Sequence, residues 1–168
     1  MCIRDRNMFK ASIFNINIAN TIRELKSVSF DHVFMNPPYF KQNSVKESHI
    51  LSSHQARVES MPLSAWISVA KNRCKPNGKI TVIQRVERLP DIIKCLDGYF
   101  GQVTVQPISS FKDTSPKTVI VQATKTSGAA FKLLAPKIVH RRDGISGKVV
   151  YEEEFKKILR YGHPLQLN

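Results

Sequence analysis

The sequence predicts an open α/β sheet with helices on both faces. Three observations carry that class. Stretches with strand and helix periodicity alternate along the chain, and one short run is apolar almost throughout, as in a strand covered on both faces. That run stops at a Pro-Pro turn, and in open α/β sheets ligands gather at such carboxyl ends of strands. The 168 residues suffice for one domain with a sizeable core, and 42% hydrophobic residues with only seven glycines argue against disorder.

Met1 to Arg6 (MCIRDR) is charged, aperiodic and does not lead into the strand pattern after it. Residues 1–7 are therefore expected to be a non-native or disordered leader, with one domain over 8–168. Met8 to Ile16 alternates as a strand, and Ile18, Ile22 and Leu25 recur at helical spacing, with Thr21 and Glu24 as a capping pair. Phe30 to Met35 (FDHVFM) is the apolar run, and it ends at Asn36-Pro37-Pro38-Tyr39. Lys41 to Ser60 is polar, lacks glycine and is long for a loop, so it is expected to be functional or partly helical.

Pro62 opens a helix whose Leu63, Trp66, Ile67 and Ala70 form one apolar face. Lys71, Arg73 and Lys75 suit its negative end, and Pro76-Asn77-Gly78 stops it. Trp66 on that face reads as core. Lys79 to Arg85 is a strand; Leu89, Ile92, Ile93 and Leu96 mark a helix with Pro90 near its start and Gly98 past its end. Gln102 to Ile108 and Lys117 to Thr124 come next as strands about the turn-forming Lys112 to Pro116, which predicts an antiparallel pair. Leu133 to Arg141 adds a further strand. Glu152 to Tyr161 is the last helix, glutamates at its positive end and Gly162 beyond.

Lys and Arg total 26 against 13 Asp and Glu, a net charge of +13 spread from Lys41 to Arg160. A polyanionic partner is the first expectation; a solvated basic surface, a ribosome-bound protein or a membrane-surface protein would share the composition. No run of about 18 apolar residues exists and the first residues lack a signal peptide's apolar stretch, so a cytoplasmic protein without a membrane span is expected. Cys2, Cys74 and Cys95 show no CxxC spacing, which predicts neither a metal cluster nor a disulfide framework; Cys74 and Cys95 read as core thiols.

The chemistry lies in Asn36-Pro37-Pro38-Tyr39. Two pyrrolidine rings stiffen the backbone where a buried strand emerges. Pro37 offers a carbonyl acceptor with no competing donor of its own, and the Asn36 amide oxygen is a second acceptor. Two acceptors suit an amino group. The exocyclic amine of a nucleobase is a poor nucleophile because its lone pair is delocalised into the ring. Holding its N–H bonds toward Asn36 and Pro37 favours a more tetrahedral nitrogen and stabilises the positive charge that develops as a methyl group arrives. Tyr39 supplies a flat face for a base taken out of its stack. As an isolated tetrapeptide the motif is more often a rigid turn than a site; the buried-strand pattern before it and the strand–helix succession after it favour a site.

FDHVFMNPPYF resembles the NPPY class of S-adenosylmethionine-dependent methyltransferases. Several further stretches are similar to the bacterial tRNA(1)(Val) (adenine(37)-N6)-methyltransferase family: Ala56-Arg57-Val58-Glu59 with Leu63-x-x-Trp66-Ile67, Pro76 to Ile83 (PNGKITVI), Phe100-Gly101, and Tyr151-x-x-Glu154 with Ile158-Leu159-Arg160-x-Gly162. The likeness runs from about residue 8 to the end. It implies a Rossmann-like class I methyltransferase sheet, S-adenosylmethionine as cofactor, tRNA as partner and no metal, in a monomer. The reaction implied is methyl transfer to N6 of an adenine near the anticodon, with Asn36, Pro37, Pro38 and Tyr39 as the catalytic face.

In that family a glycine-rich loop after the first strand and an acidic residue ending the second contact the cofactor. Both precede the first strand seen here, and the first glycine of this chain is Gly78. The resemblance thus leads us to expect that the first strands and the glycine loop are missing. The family tends to place Asp at the end of its third strand; the matching position is Asn15, which can still hydrogen-bond the cofactor or serve an ordinary strand-end turn.

For RNA the candidates are Lys41, Lys46 and Arg57 in the polar stretch, Arg85 and Arg88 after the Lys79 to Arg85 strand, and Lys112 and Lys117 about the next turn. His49 and His54 share the polar stretch, where a solvated loop has the same composition. Lys137, Arg141 and Arg142 form a basic cluster that reads as a solvated hairpin or as an RNA rim. His32 reads as a packed core or helix-facing residue. Other NPPY-class substrates remain open: a guanine amine in ribosomal RNA, adenine N6 in DNA, or a release-factor glutamine, the last disfavoured by charge. A non-catalytic RNA-binding fragment is the alternative of a different class.

Overall fold

The computed structural model describes residues 27–38 and 61–167. The elements are β1 (Phe30–Met35), α1 (Leu63–Arg73), β2 (Cys74–Arg85), a 3-10 turn (Val86–Arg88), α2 (Leu89–Leu96), β3 (Phe100–Ser109) and β4 (Thr118–Lys125). Short strands β5 (Lys132–Leu133), β6 (Lys137–Ile138), β7 (His140–Arg142) and β8 (Val149–Tyr151) come next, and α3 (Glu153–Tyr161) is last. The expected strand over 8–16, the helix after it and the polar stretch over 41–60 lie outside the described residues.

The main sheet runs β1-β2-β4-β3-β5, with β6 also on β3. β1 and β2 are parallel, and β4 is antiparallel to both β2 and β3. The antiparallel pair expected about the Lys112 to Pro116 turn is present; its second strand inserts between β2 and β3. Alternation decides what each strand buries. Register places Val33 with Ile80, Met35 with Val82, and Val82 with Val121, which in turn pairs Val105. These residues share one face, and Leu63, Ile67 and Ala70 of α1 and Ile92 and Leu96 of α2 close over it in a single core.

The opposite face is more open than the sequence implies. Phe34 is 62% exposed and His32 is exposed too, its Nε2 hydrogen-bonded to Thr81 Oγ1 at 2.8 Å, where Gln122 Nε2 also donates. The apolar run of β1 is therefore covered on one face among the described residues, and His32 is a surface hydrogen-bonding residue rather than a core one. Its apolar neighbours in sequence give no hint of that, since period-2 alternation turns every second side chain to the far face.

α1 stops at Arg73, earlier than Pro76-Asn77-Gly78 predicts, and β2 begins at Cys74. The helix end is closed by Lys125, whose ammonium donates to the carbonyls of Lys71 and Cys74, both at 2.7 Å. The predicted stop is instead a bulge within β2: Phe30 pairs Cys74 but His32 pairs Lys79, and Asn77 takes φ 61°. Cys74 is buried, Cys95 partly so, and burial raises both thiols above their ordinary pKa, in keeping with core thiols. Trp66 packs against the core as expected.

The single strand expected over Leu133 to Arg141 is three short ones. Pro136 has no N–H for a ladder and separates β5 from β6. The chain then leaves the sheet to form the β7–β8 hairpin. α3 ends as predicted, with Gly162 at φ 72° and its N–H on Ile158 O. No helix among the described residues is long and apolar enough to cross a membrane.

Gly101, the second residue of β3, lies where the backbone of Ser127 crosses it, and a Cβ there would run into the Ser127 carbonyl. Gly101→Ala should therefore destabilise the fold by about 1–3 kcal/mol, as overpacking does. Gly128→Ala, at an exposed site with open space around it, should stay near neutral; urea midpoints of the two variants check this.

Candidate active site

β1 is parallel to β2, and its last residue, Met35, pairs Val82, so Asn36, Pro37 and Pro38 leave the sheet at the carboxyl rim beside Ile83 and Gln84. Asn36 is exposed, Pro37 is fully buried and Pro38 half-buried. Tyr39 lies outside the described residues, as do Asn15, Lys41, Lys46 and Arg57.

The residue that holds this turn is one that no sequence motif singles out. Gln84 has no solvent exposure, and its Nε2 donates to both Pro37 O (3.3 Å) and Pro38 O (3.1 Å). Its Oε1 accepts the backbone N–H of Arg85 at 2.9 Å. One carboxamide thus satisfies two carbonyls that no strand pairs among the described residues, and fixes the direction of both. The Pro37 carbonyl therefore already accepts one bond from within the protein. A carbonyl has two lone pairs, and the longer of the two Gln84 bonds falls on Pro37, so that oxygen keeps capacity for a second donor. The available signal was a lone amide in the apolar run Ile80 to Ile83 followed by Gln84, next to the strand that carries the turn.

The same rim gathers three of the predicted cations. Thr118, the first residue of β4, pairs Arg85, and Val86 N donates to Lys117 O at 3.1 Å, so Lys117 and Arg85 are neighbours. Arg85 pairs with Glu87 at 3.1 Å, and the guanidinium holds that carboxyl below its ordinary pKa. Lys112 is exposed on the turn between β3 and β4. Arg88 is a correction. Expected on the rim, it is 7% exposed, its Nε donating to Asp91 Oδ2 at 3.1 Å, because the 3-10 turn after β2 carries it back beside α1 and α2. A guanidinium enclosed and paired in this way braces the start of α2 through Asp91. No cluster of three or more His, Cys, Asp or Glu residues that could hold a metal occurs among the described residues.

No protein-family model matches the chain, and no curated protein matches it. Solved structures do. A predicted O-methyltransferase from Agrobacterium tumefaciens superposes with a TM-score of 0.63 at 20% identity, over 84% of this chain and 59% of that one. The chain has a methyltransferase fold. It spans little more than half of that neighbour's length. A complex of M1.HpyAVI with SAM aligns more loosely, with a TM-score of 0.43 and 14% identity over 81% of this chain and 61% of the other. A chain of a type I R-M system gives 0.43 and 18%, over 78% and 27%. The fold assignment rests on the first of these and on the strand order.

If Gln84 anchors the turn, Gln84→Leu removes the three hydrogen bonds that its carboxamide makes to the Pro37 and Pro38 carbonyls and the Arg85 N–H. The expected cost is about 1–3 kcal/mol, read as a lower urea midpoint.

Proposed function

We propose that the chain carries the amine-binding side of an S-adenosylmethionine-dependent methyltransferase that modifies N6 of an adenine in tRNA, near the anticodon. The observation that carries the reading is an exposed Asn36 at the carboxyl end of β1, beside a proline turn whose carbonyl directions are fixed by the buried Gln84. The methyltransferase fold supports it, and so do the resemblance of residues 30–40 to the NPPY class and the net charge of +13.

The Asn36 carboxamide oxygen and the Pro37 carbonyl accept the two N–H bonds of the amine. They draw it toward tetrahedral geometry and offset positive charge as the new N–C bond forms. Neither group needs to titrate. The cofactor, when bound, supplies an electrophilic methyl on a sulfonium. The exposed Asn36 at the strand exit fits a methyl donor beside it, whereas no described residue is assigned to hold the cofactor itself, and Asn15 is proposed for that role. Tyr39 is proposed as the stacking face for the extruded base. Arg85, Lys112 and Lys117 on the rim, with Lys41, Lys46 and Arg57, are proposed to neutralise phosphates. The protein is proposed to act in the cytoplasm as a monomer.

In a full-length version that carries the cofactor loop, labelled methyl groups should pass from S-adenosylmethionine to total tRNA and be recovered as N6-methyladenosine; the chain without that loop is expected to be inactive. Asn36→Ala should lower that rate roughly a hundredfold, the scale for losing one fixed hydrogen-bonding group at a developing charge. Label in DNA, in a guanine or in a protein instead would assign another substrate of the same chemistry. Absence of transfer with intact tRNA binding would leave a binding module.

Affinity for tRNA should also fall steeply with added salt, log K declining linearly with log salt as phosphate contacts release counterions. A flat response in a filter-binding titration would mean that the basic surface is merely solvated.

A further inference from the structure

The β3–β4 turn and the β7–β8 hairpin border an open cavity of about 430 Å³. His140 N donates to Ser110 O and Val139 N to Ser109 O, both at 2.9 Å, which fastens the hairpin to the end of β3. The carboxyl end of β3 faces the same rim as the Asn36 turn, because Ile108 pairs Thr118 and Thr118 pairs Arg85. Three strand spacings, roughly 14 Å, separate β3 from β1. A few nucleotides of extended single strand cover that distance.

The walls combine ring faces with cations. Phe111 packs on His140 with centroids 5.7 Å apart, and His140 stacks on Tyr151 at 4.9 Å with planes 30° apart. Lys112, Arg141 and Arg142 line the same space and are exposed; among the described residues Lys112 and Arg142 form no ion pair, and Arg141 lies 3.9 Å from Glu152. Asp113 and Glu152 are also in the wall. Their carboxylates oppose a phosphate at the centre and accept from base amines. The phosphate is thereby left to Lys112 and Arg142 at the edge. Rings within and cations outside form the combination that binds unpaired nucleotides, since stacking needs an exposed base face and a duplex offers none.

We propose that this cavity binds a nucleotide of single-stranded RNA flanking the methylated adenine, its base stacked on Phe111 and His140 and its phosphates met by Lys112 and Arg142. The assignment rests on the proposed RNA substrate. It adds a second point of attachment, which sets how far from the modified base the protein grips.

The test is fluorescence anisotropy of a labelled short oligouridylate on the whole chain. Uridylate has no exocyclic amine for the Asn36 turn, so binding at the cavity is read independently of the methylation reading, and loss of one does not entail loss of the other. Phe111→Ala should weaken binding about tenfold, within the range for one base–aromatic stack, and Phe111→Tyr should restore it. The turn should survive both changes, because the Thr114 hydroxyl bonds the Phe111 peptide N–H and carbonyl rather than its ring; unchanged melting curves check this. Arg142→Gln should lower the slope of log K against log salt by about one. The proposal is overturned if Phe111→Ala binds as the parent does, if Phe111→Tyr fails as badly as Phe111→Ala, or if a short RNA duplex binds as tightly as the single strand.

Discussion

A buried carboxamide governs what the rest of the sheet presents. Gln84 sits at the end of β2 with no contact with water, and its donors reach across to the carbonyls of Pro37 and Pro38 while its oxygen takes the Arg85 N–H. A side chain of this kind is tolerated in an apolar core only if its hydrogen bonds are made. The requirement runs both ways: the turn needs donors for its carbonyls, and the amide needs acceptors. Because β1 and β2 are adjacent and parallel, the same bonds hold Asn36 at the rim with its side chain exposed.

The core beneath that rim is built from one face of the sheet. Alternating Val and Ile positions of β2, β3 and β4 meet the apolar faces of α1 and α2, and ion pairs and caps close the margins. Arg88 and Lys125 show how a basic chain uses some of its charge internally: one braces α2 through Asp91, the other closes the end of α1. The remaining surface cations include Arg85, Lys112 and Lys117 on the carboxyl rim. Their common position results from the antiparallel insertion of β4, which returns the chain to the edge where β2 ends. The proposed methylation site and the proposed nucleotide cavity thus share one rim, set by strand direction.

The Agrobacterium tumefaciens structure supplies the fold and no more, since a fifth of the aligned residues are identical and the chain spans 59% of that protein. In the proposed chemistry, two oxygen acceptors in fixed directions, Asn36 and Pro37, favour a developing cationic nitrogen without any group that titrates near neutrality.

Local pattern alone determined the element types. Period-2 alternation marks the strands from Lys79 onward, helical spacing marks α1 and α2, and Gly162 marks the end of α3, because these signals depend on neighbours a few residues apart. Asn36-Pro37-Pro38 at a strand exit was legible for the same reason. What only the tertiary structure decided depends on residues far apart in sequence: Gln84 anchoring Pro37 and Pro38, Arg88 turned inward, His32 turned outward, and the division of the Leu133 to Arg141 stretch between sheet and hairpin. A side chain's type states which bonds it can make. Whether those bonds are made within the protein or left for a ligand is decided by the strand register that brings partners to it.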